Sequence, residues 1–513
     1  MVTRRRFLHL GLTGAAGLIT GCRPSDLVAT GAWGGTPEAA LSTLVPEGRR
    51  PEGVLDLFLW GGFSPWESFY AVPENGHPDA GGPNAGEQWW LFQEGPWNIH
   101  DALDACEFSG ELLQPFGTDA LGRTVNLGPF VWPLRERTDI LDRMRVIVMR
   151  HDQLPHQGAC PLMLGGQLRG STRLAGTAAH VERYFRERLT GVRPEPHSYV
   201  LYPADQQVGL DNVEAASAVG QHGGAARPLS IRLRADDLLS QQLDRRSLRA
   251  PPSLVDDMLR QQFRSYRERL RPGPNQDRLE ASSLDAWGLA RDTVARSRDL
   301  SAILTPELLA ARSGSECGVE SDFDRSLTGL GIATSLLTHP DKAARYVTAV
   351  DAGVVNYTTC APYDAHDLHS AQLSVNTTHA MRTLAGLINT PGEGDPRKLD
   401  LDRHTVLITT EFGRSPWMQE NTEGGTDHWP HGYVVVAIGG FVGPEQAGVV
   451  GAIGDDGRAV EYFTPAELRA ASLLGMGIWP FGAEAFRVGD MQSQQNELDA
   501  AAYLKSALLG YAS

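Results

Sequence analysis

Long hydrophobic runs are missing from this chain of 513 residues. A membrane-spanning helix needs roughly 18 or more apolar residues. The one early candidate, Leu8 to Ile19, is shorter and is interrupted by Gly11, Thr13, Gly14 and Gly17. Cysteine is scarce: Cys22, Cys106, Cys160, Cys317 and Cys360 are widely spaced and form no C-x-x-C pair, which argues against a zinc knuckle. The four beyond Cys22 allow zero, one or two disulfides and three complete pairings. Positive charge is also short, with a formal net charge of −16. An acidic surface repels phosphate backbones, so nucleic acid is excluded as an expected partner, whereas cations, metal ions included, are favoured. Internal repeats and low-complexity tracts are absent. What remains, 41% hydrophobic and 21% charged, is the composition of an ordinary globular protein.

The first segment has the three parts of an export signal: cationic Arg4 to Arg6, an apolar run, and the small-residue stop Thr20-Gly21. Its order Thr3-Arg4-Arg5-Arg6-Phe7-Leu8 resembles a twin-arginine signature, an address read by the export machinery of folded proteins. Ile19-Thr20-Gly21-Cys22 resembles a bacterial lipobox, which implies a lipid on Cys22 and anchoring to a membrane. Residues 1–21 are then a signal peptide and 22–52, rich in Gly, Ala, Pro and Ser, a flexible tether. Arg23 rather than Asp after the acylated Cys leans towards the outer membrane of a two-membrane cell envelope, with the domain exported to the periplasm or cell surface.

From residue 53 onward, short apolar runs alternate with helical patterns. Strands are expected at Val54 to Trp60, Arg145 to Met149, Ser198 to Tyr202, Arg345 to Val350, His404 to Thr410 and Tyr433 to Ile438. Helices are expected at Thr177 to Leu189, Leu254 to Leu270, Leu279 to Arg298, Leu327 to Thr338 and Ser370 to Ile388. Such alternation predicts an α/β domain over 53–513, with a mainly parallel sheet covered on both faces. The charged stretch 235–312, broken by Pro251-Pro252 and Pro272-Gly273-Pro274, reads as an inserted helical lobe. Tyr70 to Trp132, rich in Trp, Gly and Pro, reads as long functional loops.

Six of the fifteen histidines fall in three close pairs, His151/His156, His366/His369 and His428/His431, each in a loop on the C-terminal side of an expected strand. In open parallel sheets that edge binds ligands. Imidazole mixed with carboxylate, from Asp152, Asp364, Asp367, Glu411 and Asp427, is what a divalent metal takes. Glu411 closes an apolar run and stands over the edge. The bland readings stay open: His151 and His156 orienting a loop, and Arg414 as a sheet-edge arginine paired to Asp427 rather than a guanidinium on an oxyanion. Ser64 with Glu67 suits a helix cap, or a hydroxyl and carboxylate at the same edge.

These residues carry a family likeness. Gly61-Gly62-Phe63-Ser64-Pro65-Trp66-Glu67-Ser68-Phe69 resembles the opening motif of the bacterial domain-of-unknown-function 1501 family. His151 to Gly166, Asp364-Ala365-His366, Thr410-Glu411-Phe412-Gly413-Arg414-Ser415-Pro416 and Gly425-Thr426-Asp427-His428-Trp429-Pro430 resemble its later motifs, so the likeness spans about 53–475. The family is grouped with the alkaline phosphatase and sulfatase superfamily. The resemblance therefore implies an alkaline phosphatase-like, doubly wound α/β fold with metals at the C-terminal strand edge. It implies that Asp364 and His366, with His369 beside them, occupy an Asp…His ligand set, and that His428 matches the late His before a strand. The sequence departs from active relatives where Glu411-Phe412 replaces Asp-His, and where Gly61-Gly62 replaces a metal-binding Asp. The sulfatase Cys-x-Pro-x-Arg motif is missing at Cys160-Pro161.

Two readings follow. In one, the chain is a phosphate or sulfate ester hydrolase: Asp364, His366, Glu411, Asp427 and His428 hold a divalent metal (Zn, Ca or Mn), Arg414 steadies the anion and Ser64 is the nucleophile. In the other, it is a binding or assembly protein that keeps the fold with a degenerate site, its Trp-rich loops meeting glycans.

Overall fold

The structure, a computed structural model, describes residues 36–73, 99–171, 175–188, 198–203, 229–233, 303–310, 312–341, 343–351, 361–482, 485–492 and 494–512, with a few isolated positions besides. The signal segment, Cys22, Cys360 and most of the expected helical lobe at 235–312 lie outside them, as do residues 74–98 of the Trp-rich loops.

Every residue of the first strand, β1 (Gly53–Leu59), is buried, as its unbroken apolar run requires of a strand covered on both faces. It joins β2 (Met144–Met149), β3 (Ser198–Pro203), β4 (Leu229–Leu233), β5 (Tyr346–Asp351), β6 (His404–Thr409), β7 (Tyr433–Ile438) and β8 (Gly448–Val450) in one sheet. The spatial order is β8-β2-β7-β6-β1-β5-β3-β4. β1 pairs in parallel with β6 and β5, with Leu55 opposite Val406 and Val347. β7 is antiparallel to both β6 and β2, and the other pairings are parallel. Because β7 runs backwards, its N-terminal end lies at the same edge as the C-terminal ends of β1, β2 and β6.

The two-residue alternation of the strands builds two cores. Leu55, Leu57, Val406, Ile408 and Val436 pack against α3 (Arg325–Thr338) and α4 (His369–Leu387). Val54, Phe58, Leu407, Val435 and Tyr433 pack against α1 (His156–Gly165), α2 (Thr177–Arg188) and α5 (Pro465–Gly475). The architecture is thus mixed α/β with a mostly parallel central sheet. Local chemistry fixes the helix starts. Asp324 caps α3 by accepting from Leu327 N at 2.8 Å, and Thr464 and Glu467 form a reciprocal capping box with Pro465 at the first turn of α5. Asp56, the polar residue inside β1, is buried against Arg469 Nη1 at 2.7 Å, Thr409 Oγ1 at 2.7 Å and Tyr346 Oη at 2.9 Å.

Two expectations change. The tether does not reach residue 52: Ala40, Leu44 and Val45 are buried in the second core, and Lys505 Nζ donates to Ser42 O at 2.9 Å. Three apolar side chains spaced for burial outweigh the Gly/Pro content there. Ser64 and Glu67 cap no helix; residues 65–69 form a turn in which the two side chains bond each other. Cysteine makes one disulfide among the described residues, Cys106–Cys317, while Cys160 is free and buried. No helix among the described residues is long and apolar enough to cross a membrane.

Candidate functional site

The segments that follow β1, β2, β5 and β6 meet over one edge of the sheet, and close backbone packing draws them together. Gly61 sits at φ +124, and a Cβ there would lie 2.3 Å from Asp364 N. Gly425 packs so tightly on the His366 carbonyl that a Cβ would fall 1.6 Å from its oxygen. These two glycines let the end of β1 and the loop before β7 clamp the segment Asp364-Ala365-His366 from opposite sides.

At the centre three donor atoms form a triangle. His428 Nε2 lies 3.0 Å from Asp364 Oδ1, His366 Nε2 lies 3.0 Å from the same oxygen, and the two Nε2 atoms are 3.1 Å apart. The far nitrogens are tied down. His428 Nδ1 faces the Leu154 carbonyl at 2.9 Å and His366 Nδ1 faces Gln419 Oε1 at 3.0 Å. A proton on each Nδ1 donates outward, which leaves lone pairs on both Nε2 atoms facing an ionised carboxylate. Such a set is held together only by a shared proton or a cation. Metal-binding histidines are oriented this way, the outer N–H donating to a carbonyl or amide oxygen. Around a tetrahedral ion with bonds of about 2.0–2.1 Å, donor atoms stand roughly 3.3 Å apart, so the triangle needs only a slight expansion to accept one. The donor set fits a divalent metal.

His156 widens the cluster. Its Nε2 faces Asp364 Oδ2 at 3.2 Å and its Nδ1 faces Glu411 Oε1 at 2.8 Å. Burial lowers the affinity of this ring for its proton, but the two carboxylates outweigh burial and lift its pKa to about 9. The Asp364 carboxyl, which burial alone would raise, is held well below the ordinary range by His156, His366, His428 and Arg414. The bond to Asp364 raises His366, and burial lowers His428 despite the same carboxylate.

Each histidine pair divides into one ring in the cluster and one outside it. His151 is a wedge: Nδ1 accepts from Gln153 N at 3.0 Å, so Nε2 donates to Glu411 O at 2.6 Å. Burial pushes its pKa down to about 4, and it stays neutral. His369 is fully buried between Thr426 Oγ1 at 2.8 Å and Glu67 Oε1 at 3.3 Å. His431 packs edge-on against Trp429, centroids 5.1 Å apart.

The remaining sequence candidates take distinct places. Glu411 is fully buried and touches the cluster through His156, while Oε1 also accepts from Gly61 N at 2.8 Å. Asp427 is exposed at the rim, its Oδ1 accepting from His428 N at 2.8 Å; with His366 and His428 it forms another group of suitable spacing. Arg414 is fully buried and faces Asp364, not Asp427. Its Nη1 donates to Asp364 Oδ1 at 2.8 Å and Gly61 O at 3.3 Å, its Nε to Thr426 Oγ1 at 3.0 Å, and its Nη2 to Thr426 O. Ser64 is 2% exposed and donates to Glu67 Oε2. Phe412 stacks on His428, centroids 4.2 Å apart and planes at 28°, and so walls one face of that ring. Sequence reasoning left His156 and Gln419 out of the site. The signal for His156 was present in its five-residue spacing from His151, but not which of the two faces inward.

No curated protein and no solved structure matches the chain. A family model described as "Protein of unknown function (DUF1501)" matches residues 343–492, the stretch that carries Asp364, His366, Glu411, Arg414 and His428.

Proposed function

We propose that the chain is an exported, metal-dependent hydrolase of phosphate or sulfate esters, of the alkaline phosphatase and sulfatase type. One observation carries this reading: the lone pairs of His366 Nε2 and His428 Nε2 converge with Asp364 Oδ1 within 3.1 Å, their tautomers set from outside. These three residues are the primary ligands, with Asp427 completing the set. A bound divalent ion would polarise the ester oxygen and acidify a water. Arg414 holds Asp364 in register rather than meeting the substrate, because its bonds all point inward. Ser64 donates its proton to Glu67 in a buried turn, which favours water over Ser64 as nucleophile. His156, a cation between two carboxylates, is the group in the cluster best suited to hold a proton near a leaving oxygen.

The second reading, a binding protein with a degenerate site, is favoured by one feature: Arg414 Nη1 already neutralises the oxygen that would ligate the ion. Metal analysis of the purified protein and turnover of phosphate and sulfate esters with and without chelator separate the two. Bound metal with chelator-sensitive turnover supports the hydrolase, whereas bound metal without turnover supports the binding protein. Export and anchoring through Cys22 belong to the same proposal. Cys22→Ser should release the protein from membranes, and continued membrane retention of that variant contradicts the lipid anchor.

A further inference from the structure

Four segments build the metal cluster: 60–69 after β1, 150–160 after β2, 361–369 after β5, and 411–431 between β6 and β7. Together they carry eight Asp and Glu residues against two arginines, Arg150 and Arg414, and no lysine. The cluster opens to solvent through His366, whose side chain is 30% exposed, and Asp427 at the rim. Neither arginine is turned towards that opening. Arg414 is fully buried and donates only inward, to Asp364, Gly61 and Thr426. Arg150 donates to Ala459 O at 3.1 Å and lies over the Tyr462 ring at 5.1 Å. Arg458, which reaches the same loop from outside, lies over Trp429 at 5.3 Å and faces Asp456 at 3.8 Å.

The charge left for an incoming anion is therefore small. A divalent ion held by Asp364, Asp427 and two neutral imidazoles is neutralised by its own carboxylates. Arg414 adds one positive charge behind Asp364. Glu411 is offset by His156 when that ring carries its proton and is uncompensated when it does not. In either state the centre offers at most one net positive charge, and the exposed carboxylates Asp152, Glu420 and Glu423 on the flanking loops lower it further. A sulfate ester or a phosphate diester brings one negative charge, and a phosphate monoester two. The cost of stripping water from an ion rises with the square of its charge, and this centre has no second positive charge to offset it.

Resting on the hydrolase reading, we propose that the site selects singly charged tetrahedral esters, sulfate monoesters or phosphate diesters, over doubly charged phosphate monoesters.

The test is calorimetric titration of the metal-loaded, full-length protein with three stable analogues that share one aryl group. At about pH 8.5 phenylphosphonate carries two charges, whereas its monomethyl ester and benzenesulfonate carry one each. The better-bound monoanion should bind at least about tenfold more tightly than phenylphosphonate. A lead by the methyl ester marks a diester site, and a lead by benzenesulfonate a sulfate ester site. Asp427→Asn removes one negative charge from the ligand set, and Glu420→Lys, exposed beside Gln419, changes the charge without touching a ligand. Each should narrow the gap at least about threefold. Asp341→Asn, an exposed carboxylate ahead of β5 at the opposite edge of the sheet, should leave it unchanged. Phenylphosphonate binding as tightly as both monoanions, binding of none of the three, or a gap unmoved in both Asp427→Asn and Glu420→Lys overturns the proposal. Chelator-sensitive turnover of p-nitrophenyl sulfate and bis(p-nitrophenyl) phosphate by the same sample tests the hydrolase reading separately. Its absence with the selectivity intact overturns hydrolysis and leaves the preference for singly charged anions standing.

Discussion

Arg414 Nη1 donates to Asp364 Oδ1 across 2.8 Å, and the guanidinium has no exposure to solvent. Removing one member of a buried pair strands the other's charge, at a cost of about 3–5 kcal/mol. Arg414→Met should therefore lower the urea unfolding free energy by that amount and loosen the cluster. A variant of unchanged stability that raises only KM would instead place Arg414 on the substrate.

Gly61 makes a similar demand through the backbone. Alanine there brings a Cβ to 2.3 Å from Asp364 N at φ +124, so Gly61→Ala should cost about 1–3 kcal/mol and reduce metal occupancy together with thermal stability. Gly122, also at positive φ, has nothing within 4 Å of a Cβ. Gly122→Ala isolates the backbone part of the cost and should leave occupancy intact.

Much of this was legible in advance, and what was not has physical reasons. Tyr433–Ile438 is delimited by pattern alone because its unbroken apolar run ends in Gly439-Gly440. β4 and β8 escape notice because the first carries Arg232 in a five-residue run and the second has three residues, too few for periodicity. α1 is masked by Pro161 within it. Each histidine pair sends one ring into a common cluster, yet spacing does not say which ring of a pair turns inward. That choice is made by long-range partners: Leu154 and Gln419 for the inner rings, Glu67 and Thr426 for His369.

The far part of α4 carries a second buried ion cluster whose pH response can be signed. His379 Nε2 lies 2.8 Å from Asp324 Oδ2 and Nδ1 3.4 Å from Glu316 Oε2, with Arg382 on Glu316 and Asp351 nearby. Burial lowers the His379 pKa, but the carboxylates prevail and raise it to about 9 from 6.5. A folded pKa above the unfolded one stabilises fully below about pH 6.5, and that contribution fades as pH rises through about 9. Because His156 titrates in the same window, the informative quantity is the stability difference between wild type and His379→Gln. That difference should shrink from pH 6.5 to 9.5, and a constant difference would contradict the assignment.

Cys106–Cys317 closes a span of 211 residues. A cross-link over so long a loop contributes about 2–5 kcal/mol, chiefly through the unfolded chain. The paired substitution Cys106→Ser with Cys317→Ser should lower Tm and make it insensitive to reductant, while the parent should lose Tm on reduction.

The central claim is that His366, His428 and Asp364 hold a divalent metal. Elemental mass spectrometry of the full-length protein, purified without added metal and again after zinc or manganese loading and desalting, tests it most directly. The account predicts about one equivalent retained in the parent, and its loss in His428→Ala and in Asp364→Asn while the fold, judged by circular dichroism, persists. No retained metal in the parent after loading, or equal retention in both variants, would contradict it.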